Sequence, residues 1–259
     1  MPELPDVDGF RRYFARYAAG HHVAAVEVAD RDLVRNTDPQ GLARRLVGRR
    51  FSTPRRHGKW LIAPTGGPEL LLHFGMTGLL VYSARDLEPH RHDRVTLVLA
   101  EGRLRYRNMR RLGGIWVAGS PAEREAATGP LGPDALEIEA NEFVQLLERR
   151  RGGIKSALMD QRLVAGLGNL LSDEILWRAR IHPRRPVARL RRDRLERIHD
   201  AMRQVLRAAN RHRRVPPIAG WLTGARNAQD PRCPRCGSRL RRATVAGRTA
   251  AWCPRCQRR

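Results

Sequence analysis

The first residues of the chain, Met1-Pro2-Glu3, carry the groups that amine catalysis needs. Proline in second place is small enough for the initiator methionine to be removed, which leaves the secondary α-amine of Pro2 beside the Glu3 carboxylate. A free α-amine has a pKa of about 7.7–8.0, so a fraction of it is neutral and nucleophilic at neutral pH. Its attack on a sugar aldehyde carbon would give a cationic iminium, as lysine does in Schiff-base enzymes. Many chains begin with Met-Pro without catalysis, so the rest of the sequence has to decide.

The four cysteines form a second chemical motif, Cys233-x-x-Cys236 followed by Cys253-x-x-Cys256. Each pair turns two thiolates toward one point, and two pairs supply the tetrahedral S4 set that Zn²⁺ prefers in closed structural sites. Disulfides or redox-active thiols are the alternatives, and a cytoplasmic setting disfavours both. The spacing predicts one structural zinc on a β-hairpin. Arg248 then lies at the hairpin tip, either as one more exposed arginine or as a phosphate contact.

A glycine turn, Gly166-Leu167-Gly168, is followed by Asn169 where a helix starts. A helix N-terminus offers unpaired N–H groups and a positive dipole end, which suit a phosphate. Asn169 could cap this helix and also donate its amide to a phosphate. A simple glycine turn with an asparagine cap is the alternative.

The charge of the chain points to a polyanionic partner. Its 259 residues include 50 Lys+Arg and 26 Asp+Glu, which gives a formal net charge of +24. Such a field destabilises a compact fold unless a polyanion neutralises it, and nucleic acid is the usual one. The length fits two domains, and no apolar run is long enough to span a bilayer. No signal peptide is recognisable, so we expect a cytoplasmic protein that does not associate with membranes.

The spacing of apolar residues changes along the chain and predicts the elements that must position these groups. Residues 5–19 have helical spacing, and residues 22–118 form short apolar or alternating runs broken by Gly and Asp. This pattern predicts an N-terminal helix and an antiparallel β-sandwich or barrel, with a hairpin turn at 100–104. Residues 120–140 contain Pro and Gly and are predicted to be a linker. Helical patterns follow at 141–150, 154–166, 169–183 and about 189–210.

Several motifs occur together in one order: MPELPDV, Gly58-Lys59, HFGMTG, RHD, RYRNMRRLG, LMDQRLVAGLGNLLSDEILWRARIHP and GRTAAWCPRCQ. In combination they resemble the formamidopyrimidine-DNA glycosylase/endonuclease VIII family over nearly the whole chain, and the PELP opening is nearer the formamidopyrimidine branch. The resemblance implies an α+β fold of two domains. Its expected parts are an N-terminal helix with a catalytic β-sandwich (1–120), a linker (121–140), a helix–two-turn–helix domain (141–225) and a C4 zinc finger (226–259). It also implies a monomer that clasps damaged double-stranded DNA between its domains, in the cytoplasm and associated with the nucleoid.

The activity implied by the resemblance is that of a bifunctional DNA glycosylase and AP lyase of base excision repair. Pro2 would attack C1′ of an extruded damaged nucleotide, and Glu3 would act as acid toward the opening sugar. The iminium acidifies the C2′ hydrogens, so that β- and then δ-elimination follow. Lys59, expected on the strand after Gly58, would contact the lesion-side phosphate and assist catalysis. No catalytic cofactor is implied.

Extrusion of a nucleotide leaves a void in the duplex, which inserted side chains fill. The resemblance assigns this role to Met76, Arg110 and Leu112, with Arg110 facing the orphaned base. It assigns phosphate contacts to His73, His92, Lys155, Asn169 and Arg248.

Four departures from the family pattern concern the substrate. Asp6 stands where the family usually has Glu, and Leu112 replaces a Phe wedge with less stacking surface. RYRNMRR stands where an Asn-Asp-Pro-Arg-Arg pattern is usual. Only 18 residues, 215–232, separate the last long helix from Cys233, fewer than the loop that closes over extruded 8-oxoguanine. We therefore expect weak 8-oxoguanine activity and a pocket open to ring-opened purines, oxidised pyrimidines, abasic sites or bulkier adducts.

Two other functions fit part of the sequence. A catalytically weak DNA damage-binding paralogue would share the charge, the zinc and the wedge, and only Pro2, Glu3 and Lys59 favour the enzyme over it. A zinc-ribbon transcription factor would leave the N-terminal motif and the 75–78 loop unexplained. We therefore predict the enzyme, with the damage-binding paralogue as the alternative.

Overall fold

The computed structural model describes residues 2–258, which divide into two compact units. The first unit contains Pro2 and Asp6–Pro130, and the second contains Glu3–Pro5 and residues 131–258. Met1, whose removal the sequence leads us to expect, lies outside the described residues. Within residues 2–258, no helix is both long enough and apolar enough to cross a membrane. The domain boundaries expected from the sequence stay a prediction.

Two four-stranded antiparallel sheets form the first unit, which confirms the predicted sandwich. Their strand orders are β1-β6-β7-β5 and β2-β3-β4-β8, and the predicted hairpin turn joins β6 to β7. Apolar side chains from both sheets and from the N-terminal helix share one core. The strands are β1 Val23–Val28, β2 Arg55–His57, β3 Trp60–Pro64, β4 Glu69–His73, β5 Gly78–Ser83, β6 Asp93–Leu99, β7 Gly102–Asn108 and β8 Gly114–Ala118.

Three helices accompany these sheets: α1 Leu4–Tyr17, α2 Pro39–Leu46 and α3 Pro121–Thr128. The first was predicted, whereas α2 was not, and α3 occupies part of the expected linker. Both have proline in the first turn and a side-chain cap, because Asp38 accepts from the Gly41 N–H and Ser120 accepts from the Glu123 N–H. These prolines therefore begin helices rather than interrupt structure, as proline does at the first helical position.

The second unit is helical and ends in a two-stranded hairpin. The helix predicted over 154–166 stops at Met159, because Asp160 turns the chain and its carboxylate accepts from the Arg162 N–H at 3.0 Å. Apolar side chains of the first four helices below form one core. The elements are α4 Ala140–Glu148, α5 Ile154–Met159, α6 Asn169–Arg178, α7 Arg192–His212, α8 Leu222–Ala225, β9 Arg241–Val245 and β10 Arg248–Trp252.

Candidate functional site

The carboxylate of Glu3 caps the N-terminus of α6. Glu3 is completely buried, and its two oxygens accept from the N–H groups of Gly168 (2.9 Å), Leu170 (2.8 Å) and Leu171 (3.1 Å). These donors have no partner within the helix, and an anion is favoured at this positive end of the helix dipole. The cap thus fixes the residue that directly follows Pro2, which carries the proposed amine.

The glycines of the 166–168 turn allow the N-terminal segment to approach. A Cβ on Gly168 would lie 2.4 Å from Glu3 Cδ, and one on Gly166, whose φ is +113°, would lie 2.6 Å from Leu4 Cδ1. The Leu4 N–H also donates to the Gly166 carbonyl at 3.1 Å. The turn predicted as a phosphate site thus also binds the protein's own N-terminal segment. Asn169 is the first residue of α6, but the capping acceptor is Glu3.

Lys155 has a buried position that the sequence did not suggest. It is completely buried, and its Nζ lies 2.7 Å from Asp173 Oδ1 and donates to the Thr249 carbonyl at 3.3 Å. Arg226 binds the same two partners, with N–O distances of 2.6 Å to Asp173 and 3.0 Å to Thr249. Burial lowers the pKa of Lys155, and the Asp173 carboxylate opposes that shift. In this structure the ammonium therefore contacts protein groups rather than a solvent-facing phosphate position.

Through this network, α5, α6 and the segment before the hairpin are tied to β10. Thr249 follows Arg248, which is exposed at the start of β10 beside the Ala246-Gly247 turn, as the hairpin-tip prediction requires. The Asp173 carboxylate also accepts from the Ala251 N–H at 3.0 Å. The buried ions thereby fix the hairpin strand that carries Arg248.

The predicted DNA-contacting residues of the first unit, together with Lys59, lie at one end of its sheets. Trp60 pairs with His73, and His73 pairs with Gly114, so the β2–β3 turn, the β4–β5 turn and the β7–β8 loop lie at the same end. The Asn108 N–H donates to the His92 carbonyl at 2.9 Å, which brings the approach to β6 to this end as well. The predicted residues gathered there are Lys59, His73, Met76, His92, Arg110 and Leu112.

Lys59 lies in the turn with Gly58 rather than on a strand, because β3 begins at Trp60. Burial and the charge of Lys59 lower the pKa of His73 from 6.5 to about 4, so this imidazole is neutral at pH 7. Its Nδ1 accepts from the Gly75 N–H at 3.3 Å, which assigns the ring proton to Nε2. His73 can therefore donate a hydrogen bond to a phosphate without adding a positive charge. Burial and neighbouring cations, Arg91 first among them, also lower the pKa of His92.

The β4–β5 turn and the β7–β8 loop hold each other in place. Arg110 donates from its backbone N–H to Thr77 Oγ1 at 3.0 Å and from its guanidinium to Met76 Sδ at 3.4 Å. A Cβ on Gly75, whose φ is +58°, would lie 1.9 Å from the Leu112 carbonyl oxygen, so only glycine fits there. Met76 and Arg110 are thus in direct contact.

The sequence reasoning missed Met109, which lies beside these residues. Met109 is 55 % exposed and Leu112 is 45 % exposed, although both are apolar. Their loop is anchored, because Arg111 forms ion pairs with Asp30 (2.8 Å) and Asp32 (2.7 Å). The sequence did contain an indication of this exposed side chain, because Met109 stands where the family pattern has proline.

The cysteine sulfurs have the geometry of a zinc site. Tetrahedral Zn–S bonds of about 2.3 Å place sulfurs about 3.8 Å apart. Cys236 Sγ lies 3.5 Å from the sulfurs of Cys253 and Cys256, the Cys233–Cys256 separation is 4.0 Å, and all four ligand atoms lie within 4.8 Å of one another. The Trp177 indole N–H donates to Cys233 Sγ at 3.3 Å, a contact that suits a thiolate. This is a closed site for one structural Zn²⁺.

Three family models match the chain. Residues 1–115 match the formamidopyrimidine-DNA glycosylase N-terminal domain, residues 131–214 match the formamidopyrimidine-DNA glycosylase H2TH domain, and residues 231–259 match a zinc finger found in FPG and IleRS. A formamidopyrimidine-DNA glycosylase of Nocardioides sp. is 36 % identical over 99 % of this chain and 94 % of its own length. One of Moorella thermoacetica is 38 % identical over 99 % of this chain and 92 % of its own.

Solved structures of the Lactococcus lactis formamidopyrimidine-DNA glycosylase are also similar. The complex with DNA containing an AP site has a TM-score of 0.88 at 28 % identity and covers 99 % of this chain and 100 % of that one. The complex with DNA containing N7-benzyl-Fapy-dG has a TM-score of 0.89 at 28 % identity and covers both chains completely.

Proposed function

The chain belongs to the formamidopyrimidine-DNA glycosylase family, and from that premise we propose how its residues act on damaged double-stranded DNA. It is a bifunctional DNA glycosylase and AP lyase of base excision repair. The observation that carries the assignment of residues is the capping of α6 by Glu3, because three N–H···O bonds fix this buried carboxylate in the residue that directly follows Pro2.

The proposed reaction begins at the α-nitrogen of Pro2 after removal of Met1. The nitrogen forms a bond to C1′ of the extruded nucleotide, and the glycosidic bond breaks with its electron pair leaving on the damaged base. Ring opening then gives a C1′ iminium, which acts as the electron sink for loss of a C2′ proton. β-Elimination expels the 3′ phosphate, δ-elimination expels the 5′ phosphate, and water releases the sugar fragment from Pro2.

Glu3 has two proposed roles. Its contacts with three N–H groups support a positioning role for Pro2, and its action as an acid toward the opening sugar stays a prediction. Lys59 and neutral His73 are proposed to bind the phosphate on the lesion side, one by charge and the other through its Nε2–H. Asn169 and Arg248 are proposed as phosphate contacts, and Lys155 as the residue that positions the strand bearing Arg248.

Borohydride trapping on duplex DNA with one abasic site tests this chemistry. Trimmed wild-type protein and the control variant Glu137→Gln, which changes an exposed glutamate, should form a covalent adduct. Pro2→Gly, and protein that retains Met1, should bind the duplex without forming it. Tight binding by wild-type protein with no adduct would overturn the proposal and favour the damage-binding alternative.

The proposed substrate preference rests on the segment between α7 and the zinc finger. Trp221, Leu222 and Thr223 of this segment are buried, and Leu222 packs against Trp177 and Cys233. The Thr223 N–H donates to the Glu174 carboxylate at 3.2 Å. Because its middle is part of the core, little of this short segment is left to cover an extruded base. We therefore propose weak 8-oxoguanine excision and a preference for ring-opened purines, oxidised pyrimidines, abasic sites or bulkier adducts.

Single-turnover excision from a panel of lesion duplexes tests the preference. A ring-opened purine opposite cytosine should be removed at least tenfold faster than 8-oxoguanine opposite cytosine, with cleavage of an abasic site as the control for catalytic competence. Equal rates for the two purines would refute the preference and leave the lyase assignment intact. Action on chromosomal DNA places the protein at the nucleoid in the cytoplasm, and this location is part of the proposal.

A further inference from the structure

A strongly basic cavity lies in the second unit. It has a volume of about 970 Å³ and is formed by the chain after α6, the start of α7 and the two zinc-binding Cys-x-x-Cys turns. Of the thirteen lining residues within 2–258, eight are arginine, one is His182, and none is Asp or Glu. Ligand pockets in proteins typically have volumes of about 300–1,000 Å³, so this one is large enough for a ligand of several groups.

The cavity lies away from the proposed phosphate contacts of the same unit. It begins at Arg180, just after α6, whereas Asn169 is the first residue of that helix. Ten helical residues at about 1.5 Å each span about 15 Å. In the zinc finger, the cavity is lined by Cys256 and Arg255, which follow the end of β10. Arg248 lies at the start of β10, a five-residue strand about 17 Å long. Both estimates indicate two separate basic surfaces.

Structural roles account for part of this charge. A zinc ion with four thiolates carries two negative charges, and Asp193 pairs with Arg191 at 3.3 Å. Arg235 stacks 4.4 Å from the Trp177 ring centroid and donates to the Trp177 carbonyl at 3.2 Å. Within the described part of the chain, eight guanidinium charges thus face three negative charges, an excess of five positive charges.

We propose that this cavity is a second nucleic-acid site, which holds consecutive phosphates of a single strand. Guanidinium groups bind phosphate oxygens in pairs, and their planes also accept stacked bases. The half-buried Leu190 gives the lining an apolar part that a base can cover and that an inorganic polyphosphate cannot use. A cavity of this volume admits a few nucleotides of one strand, whereas a duplex is too wide to enter it. The site is independent of the chemistry at Pro2.

The test measures binding of a fluorescein-labelled octathymidylate to zinc-loaded, full-length protein that is already saturated with an unlabelled duplex. This duplex contains a tetrahydrofuran abasic analogue, which cannot form the iminium and is therefore not cleaved. The cavity variant is Arg189→Glu/Arg194→Glu. The matched control is Arg207→Glu/Arg211→Glu, which places the same charge change on exposed positions of α7 outside the cavity. Zinc content and thermal unfolding confirm that both variants are folded.

We expect the Kd for the oligonucleotide to be at least tenfold higher for the cavity variant than for wild-type protein. For the control variant, the Kd should rise less than threefold. Loss of the two arginines should reduce the slope of log K against log salt by about 1.4, since each phosphate contact with a single strand contributes about 0.7. Equal effects of the two variants, or no binding once duplex is present, would overturn the proposal. Tripolyphosphate that binds in a cavity-dependent manner while the oligonucleotide does not would also overturn it, with free polyphosphate as the ligand instead.

Discussion

Substitution of Gly168 by alanine tests whether the Glu3 cap positions the nucleophile. The new Cβ would lie 2.4 Å from Glu3 Cδ, whereas ordinary contacts begin near 3.4 Å, so the carboxylate must retreat by about 1 Å. The backbone at Gly168, with φ −126° and ψ −161°, accepts alanine, so the clash is the only new feature.

The expected effect follows from the hydrogen bonds of the cap. Retreat of the carboxylate weakens three N–H···O bonds and leaves a buried charge poorly solvated, at a cost of about 3–5 kcal/mol. Displacement of a reacting group by about 1 Å can reduce a rate by about 100-fold. We therefore expect Gly168→Ala to lower both the free energy of unfolding and the rate of borohydride trapping.

Gly153→Ala is the matched control, because Gly153 is the N-cap of α5, has an extended backbone, and would place its Cβ no closer than 3.9 Å to another group. Urea unfolding and single-turnover trapping should separate the two variants, with Gly153→Ala losing less than about 1 kcal/mol. If both variants had the same urea midpoint and the same trapping rate, Glu3 would not be positioning Pro2.

Three further outcomes follow from the site. The pKa of His73 is about 4 when folded and 6.5 when unfolded, so the unfolded chain binds more protons between these values. The free energy of unfolding should therefore fall by about 3 kcal/mol from pH 6.5 to pH 4. The variant His73→Asn should lack this dependence on pH. The same pH dependence in wild-type protein and variant would contradict a lowered pKa of His73. Met109→Ala/Leu112→Ala should slow excision from duplex at least tenfold and leave trapping on single-stranded abasic DNA unchanged. Leu87, which is 57 % exposed, provides the control, and Leu87→Ala should change neither rate. Equal losses on both substrates would argue against a wedge. Lys155→Ala should lower the free energy of unfolding by about 3–5 kcal/mol, because it leaves Asp173 without its partner. The slope of log K for DNA binding against log salt should stay unchanged. A slope reduced by about 0.9 would instead identify a direct phosphate contact.

Local patterns predicted much of the fold. Alternating runs predicted the strands, the helical period located α1, α4, α6 and α7, and the two Cys-x-x-Cys pairs predicted the zinc geometry. The short helix α2 was not predicted because it lies within residues 22–118, where strands were expected, and α3 because its Pro and Gly content indicated a linker. Asp38 and Ser120 before these helices are their capping residues.

The interior of the site was harder to predict, because its partners are distant in sequence. Glu3 and Gly168 are 165 residues apart, and no period or motif links a carboxylate to a helix that far along the chain. Lys155 suggested a phosphate contact because its sequence neighbours fit the family pattern, yet Asp173 and Arg226 compete for the same ammonium from inside the protein. Motifs thus indicated candidate residues and did not indicate which groups each of them contacts.

The cap on α6 also sets the time at which the proposed nucleophile becomes organised. The N-terminus leaves the ribosome first, but the N–H groups that hold Glu3 belong to residues 168–171. Closing a chain segment of this length costs about 4.5 kcal/mol in entropy, and contacts so distant in sequence form late in folding. A nascent chain that has completed only its β-sandwich therefore lacks the N–H groups that hold Glu3, the residue after the proposed nucleophile. If Pro2 is the nucleophile, DNA strand cleavage by a growing chain should therefore stay slow until synthesis has passed α6.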